Sequence, residues 1–149
     1  MRVLLINPAM NLEKLGRFAG LLEPMPPTGL AYVAGSLEAH GVFVRCLDMF
    51  ADKLDADEIV ERARRFKPDL VGMTVLTPSA PVCEVLTARI KAAIPGVKVV
   101  WGGVHADVFA KEVVRDLQVD FAVHHDGEIT ACELCDALGR GEKDFSGID

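Results

Sequence analysis

Five short apolar runs alternate with stretches of helical periodicity along this chain, and few folds accommodate that alternation. The runs are Val3–Asn7, Val42–Leu47, Leu70–Val75, Val97–Trp101 and Phe121–Val123. Between them, apolar residues recur at three- and four-residue spacing. Leu30, Val33, Ala34 and Leu37 form the first such set, with Gly41 as its stop. Ile59, Val60, Ala63 and Phe66 follow, ended by Pro68. Val82, Val85, Leu86, Ile90 and Ala93 precede a Pro95-Gly96 turn. Phe109, Val113 and Leu117 mark a fourth helix, and Ala131, Leu134, Cys135 and Leu138 a fifth.

Strands that alternate with helices are joined by right-handed crossovers into a parallel sheet covered on both faces. Runs one, three and four are apolar almost throughout, as such strands must be. The expected fold is therefore an α/β, doubly wound, five-stranded parallel sheet of flavodoxin-like, Rossmann-like order 2-1-3-4-5. Ligands in such sheets bind outside the carboxyl ends of the strands, at the switch point between strands one and three. The 149 residues fit one domain, 1–149, with no internal repeat. Roughly Pro8–Pro27 is a long irregular stretch beside the switch point, and loops of that length are usually functional.

Charge and composition exclude several classes. A formal net charge of −6 and a pI near 5.2 argue against nucleic acid as a partner, because phosphate neutralisation needs clustered cations. The one tight basic group, Arg62, Arg64, Arg65 and Lys67, reads as the solvated face of a helix. No apolar run approaches the ~20 residues of a membrane span, and the opening MRVLLINP reads as a strand. A cytoplasmic location is expected. Cys46, Cys83, Cys132 and Cys135 then argue against a disulfide framework. Cys46 and Cys83 read as core, and Cys132-Glu133-Leu134-Cys135 falls inside a helix where Cys135 suits packing.

Three loops at the carboxyl edge could carry chemistry. Gly72 to Pro81 brings the hydroxyls of Thr74, Thr77 and Ser79 to that edge. One of them could instead cap the following helix, with proline in its first turn. Gly102-Gly103-Val104-His105 permits positive φ or close approach of a ligand, though many α/β turns hold glycine for local reasons. His124-His125-Asp126-Gly127-Glu128 turns at its glycine and places a carboxylate in a helix's first turn. The adjacent histidines could suggest a metal, but neighbours on an extended segment face opposite ways. There is no phosphate-binding loop, dinucleotide fingerprint or nucleophile elbow, and no catalytic residue or metal ligand is assigned.

Four stretches in order, NPAM with PPTGLAYVAGSLEAHG, DLVGMTVLTPSAPVCEVL, WGGVHADVF and DFAVHHDGEITACEL, resemble the cobalamin (B12)-binding domain at the front of radical-SAM enzymes. The resemblance covers nearly the whole chain. It implies cobalamin across the carboxyl edge, held base-off with its nucleotide tail threaded between strands one and three. Thr74, Thr77 and Ser79 would border the tail, and Gly102 and Gly103 would give it room. Asn7 and Pro8 would line the opposite wall or the lower corrin face. Val75, Leu76, Val104, Gly127 and Glu128 complete the implied cofactor-binding set, with His105 at the corrin rim.

Methionine synthase and corrinoid shuttles carry Asp-x-His-x-x-Gly after strand one, and its histidine ligates cobalt. Here that place reads Asn7-Pro8-Ala9-Met10-Asn11-Leu12. The departure favours the radical-SAM group over a free-standing corrinoid carrier for methyl transfer, the alternative reading. The family's radical-SAM core needs Cys-x-x-x-Cys-x-x-Cys, which this sequence does not contain. FSGID at the end resembles the connector into such a core. The implied parent enzyme holds a 4Fe-4S cluster and S-adenosylmethionine in a further domain in cis, for methyl transfer or cyclisation. A receiver-like signalling domain is disfavoured, because Asn7 and Thr74 stand where its acids would be.

Overall fold

The computed structural model describes residues 1–10 and 25–148. Five parallel strands are ordered β2-β1-β3-β4-β5, the flavodoxin-like order expected among doubly wound folds. They are β1 (Arg2–Asn7), β2 (Phe43–Asp48), β3 (Leu70–Thr74), β4 (Lys98–Gly102) and β5 (Phe121–Ala122). Helices α1 (Thr28–Ala39), α2 (Ala56–Phe66), α3 (Ala80–Ala93), α4 (Val104–Val108), α5 (Ala110–Asp116) and α6 (Gly127–Gly139) connect and follow them. Most of the long stretch after β1 lies outside the described residues. Among those residues no helix is long and apolar enough to cross a membrane.

Alternation along each strand divides the core in two. Leu4 and Ile6 of β1, Val71 and Met73 of β3, and Val99 and Trp101 of β4 face one way, against Ile59, Ala63 and Phe66 of α2 and Leu86 and Ile90 of α3. Trp101 is wholly buried there, and its Nε1–H donates to Thr87 Oγ1 at 3.0 Å. Val3, Leu5, Leu70 and Val100 face the other way, toward Leu30 and Leu37 of α1 and Leu134 and Cys135 of α6.

Local chemistry sets the boundaries. An Asp55–Glu58 capping box starts α2, and Lys67 at φ 52° ends it before Pro68. The basic group on α2 is solvated, with Arg65 paired to Glu61 at 2.8 Å. Asp120 clamps β5 to its neighbour, accepting from Lys91 at 2.6 Å, Lys98 at 3.0 Å and the Val99 amide at 2.9 Å. Burial alone would raise its carboxyl pKa, but those donors hold it below the usual carboxylate value.

Several expectations are corrected. The fourth helix is two: Phe109 leaves the helical region (φ −116°, ψ 28°), and Ala106 and Val113 are buried while Phe109 is 42% exposed. Val85, expected inside, is exposed. Cys46 is exposed rather than core, because β2 is an edge strand with solvent beside it. Val75 lies past the end of β3, and Val42 and Val123 lie outside their expected strands. Cys83 and Cys135 are buried as expected, and burial pushes their thiols up to about 12 and about 11.

Candidate functional site

The α1/α6 face of the sheet is not filled. A slot of ≈ 200 Å³ opens at the carboxyl edge between β3 and β4 below and α1 and α6 above. Its floor is made by strand alternation: β3 presents Leu70, Gly72 and Thr74, and β4 presents Val100 and Gly102, with Gly72 opposite Val100 and Thr74 opposite Gly102. Leu30, Val33 and Leu37 of α1 line its roof with Ala131 and Leu134 of α6. His125, Asp126, Gly127 and Glu128 stand at its mouth.

Each floor glycine has its own reason. A Cβ at Gly72 would come within 2.8 Å of Leu5 Cδ2 and 3.5 Å of Val100 Cγ1. At Gly102 a Cβ would meet, among the described residues, only Val123 Cβ at 4.0 Å, so the space before it belongs to the slot. Gly103 is a backbone requirement: its φ is +91°, and a Cβ would sit 3.0 Å from the Val75 carbonyl oxygen. That crowding follows from the local ladder, where the Val75 amide donates to the Gly102 carbonyl at 2.7 Å and the His105 amide to the Val75 carbonyl at 3.1 Å.

Of the residues singled out from sequence, the slot brings together Thr74, Gly102, Gly103, Gly127 and Glu128. The hydroxyl of Thr74 makes no hydrogen bond among the described residues. Thr77 lies outside the slot, its Oγ1 3.3 Å from His105 Nδ1. Ser79 is 2% exposed, and its hydroxyl folds back on Leu76, accepting from the amide and donating to the carbonyl. It therefore neither reaches the slot nor caps α3 through its side chain. Val75 is buried in the opposite core, while Leu76 and Val104 are exposed on the rim. His105 stacks on Phe109 with ring centroids 4.9 Å apart. Asn7 turns toward β2, donating to Asp48 Oδ2 at 3.0 Å, and Pro8 is buried.

The adjacent histidines diverge. His124 Nδ1 pairs with Asp107 Oδ1 at 2.7 Å, and that hydrogen bond lowers the pKa of the carboxyl group. His125 is in the left-handed region at φ 55°. No group of three or more metal-ligating side chains occurs among the described residues. Sequence reasoning missed Gly72, Gly29 and the aliphatic roof. Gly72 had a signal: a glycine inside a strand, two residues before Thr74 and so on its face. The roof had none, because slot-lining and core-facing aliphatic residues share one helical stripe.

Comparison with known proteins places this fold in a family. The B12 binding domain family matches residues 18–135. An anaerobic magnesium-protoporphyrin IX monomethyl ester cyclase of Rubrivivax gelatinosus is 32% identical over 95% of this chain and 25% of its own length. An uncharacterized methyltransferase of Pyrococcus horikoshii is 32% identical over 99% of this chain and 31% of its own length. The radical S-adenosylmethionine methyltransferase TsrM of Kitasatospora setae, solved with cobalamin and a 4Fe-4S cluster bound, superposes with a TM-score of 0.80 at 25% identity. That superposition covers 99% of this chain and 26% of the other. The chain thus spans between a quarter and a third of the length of these relatives.

Proposed function

The chain belongs to the B12 binding domain family, and from that premise we propose that it holds cobalamin base-off, with the base end of the nucleotide tail in the slot and the corrin over the carboxyl edge. The observation that carries this is the floor of the slot. A mostly apolar, elongated group needs a crevice with a few placed polar atoms; Gly102 leaves open a space that a side chain would otherwise fill, and Gly72 lets Leu5 and Val100 close up as the floor beneath it. The residues present fit such a tail: aliphatic walls below, a Thr74 hydroxyl at the mouth without a hydrogen bond among the described residues, and Glu128 beside it.

When bound, cobalamin would supply the cobalt chemistry, and this chain the binding and orientation. Slot residues would fix the tail, and a base held there would be kept away from the metal. Asn7 and Pro8, at the end of β1, would lie near the lower corrin face. Leu76 and Val104 would act through the shape of the rim, with Val75 and Ser79, both buried, supporting it from behind. Thr77 would hold His105 at that rim rather than beneath the metal.

The larger assembly in this reading is a radical-SAM enzyme, with its 4Fe-4S cluster and S-adenosylmethionine in a further domain of the same polypeptide. The names and lengths of the relatives support it. A free-standing carrier would place a histidine under the metal, and residues 7–12 contain none. The test is to mix the protein with hydroxocobalamin and follow absorption after gel filtration. A red protein with a base-off spectrum is expected, and a colourless one would overturn the proposal. Electron paramagnetic resonance of the complex with cob(II)alamin should lack nitrogen triplets. Triplets lost in His105→Ala would revive the carrier.

A further inference from the structure

The slot's polar atoms are all at its mouth. Thr74, His125, Asp126 and Glu128 ring the entrance, and beyond Gly72 the lining is Leu5, Leu70, Val100, Leu37 and Leu134. Backbone groups of the floor are committed to the ladder between β1, β3 and β4. The side chains that line the slot beyond Gly72 carry no nitrogen or oxygen, so the deep slot offers no side-chain donor or acceptor. Its ≈ 200 Å³ is also below the ~300–1,000 Å³ of pockets that enclose a whole drug-sized ligand. It suits the planar end of a tail and not an entire nucleotide.

From this we propose that the domain selects among corrinoids by the polarity of the tail base: it accepts benzimidazole and phenolic tails and rejects purine tails. The inference rests on the tail occupying the slot. A dimethylbenzimidazole ring brings two methyl groups to an aliphatic end, where burial of each is favourable. An adenine ring brings an exocyclic amine and ring nitrogens that water would satisfy and this lining would not. A cresol tail has no nitrogen at all and carries one methyl group, so an aliphatic end accepts it. It also cannot coordinate cobalt, so its binding requires no base-on state.

The experiment is a titration of the purified chain, by absorbance and by calorimetry, with four corrinoids: cobalamin, the p-cresolyl cobamide, the adeninyl cobamide, and cobinamide, which lacks a tail. Cobalamin and the cresolyl form should bind within a few-fold of each other, with the adeninyl form weaker by about tenfold or more. Cobinamide should bind most weakly. Equal affinity for adeninyl and benzimidazolyl forms, with cobinamide still weak, would overturn the selectivity while leaving the tail in the slot. Cobinamide binding as tightly as cobalamin would overturn both, because no tail contact would then contribute.

Discussion

The two faces of the sheet are built from the same strands and put to opposite use. Toward α2 and α3, β4 presents Val99 and Trp101, and β3 presents Val71 and Met73; all are at most 2% exposed. Toward α1 and α6 the intervening positions are Val100 and Gly102, Gly72 and Thr74, and a slot remains. Side chains at successive positions point to opposite faces, so a single strand can complete a core on one side and leave a vacancy on the other. The difference teaches that stability and ligand capacity are separable here by residue parity. A substitution on the filled face should cost folding, and one on the open face should cost binding.

Trp101→Ala tests the filled face, with the largest expected effect. It removes a wholly buried indole and strands the Thr87 hydroxyl, which now accepts from it. Large-to-small changes of this kind cost ~3–5 kcal/mol. Chemical denaturation should show that loss, with the slot's affinity changed only as far as the fold is lost. A loss below about 1 kcal/mol would mean that the two faces are not distinguished by packing.

Gly102→Val tests the open face. Among the described residues the new Cβ would meet nothing closer than Val123 at 4.0 Å, and its methyl groups would extend into the slot. Valine suits a strand better than glycine does, so the melting temperature should hold or rise slightly. Cobalamin affinity should fall by about tenfold or more, since the branched carbons take the tail's space. Gly103→Val is the contrasting case. At φ +91° and 3.0 Å from the Val75 carbonyl it should lower stability as well as affinity. Unchanged affinity in Gly102→Val would remove the slot from the binding site.

How much of this was legible follows from the same parity. The parallel, doubly wound sheet and the carboxyl-edge location came from apolar alternation and crossover rules, which depend on pattern and not on packing detail, while the strand order was a choice among the folds those rules allow. Thr74, Gly102, Gly103, Gly127 and Glu128 were legible because each sits in an edge loop or at a strand end with an unusual residue type. The place of Ser79 outside the slot was not legible, because a hydroxyl's partner is set by turn geometry: the 3-10 turn Thr77–Ser79 points it back to Leu76. The split between α4 and α5 was hidden because Phe109, Val113 and Leu117 keep helical spacing across the break. Cys46 misled because an edge strand has the composition of an inner one and differs only in its neighbours.

The smallest expected effect is the sharpest test of what the open face adds beyond empty space. Thr74 carries a hydroxyl at the slot mouth that makes no hydrogen bond among the described residues. Thr74→Val keeps the β-branched shape that suits the last residue of β3 and deletes only that group. Since no partner in the described fold is left unpaired, stability should stay within about 0.5 kcal/mol of the parent. If the hydroxyl meets the nucleotide tail, its removal costs one hydrogen bond of ~0.5–1.5 kcal/mol, or up to about a tenfold rise in Kd for cobalamin. The adeninyl cobamide and cobinamide should then lose less in absolute affinity, because neither depends on a seated benzimidazole tail. Thermal melts and titrations on one preparation separate the outcomes. An unchanged Kd would make the slot a vacancy shaped by its glycines alone, with Thr74 one more strand residue on the open side.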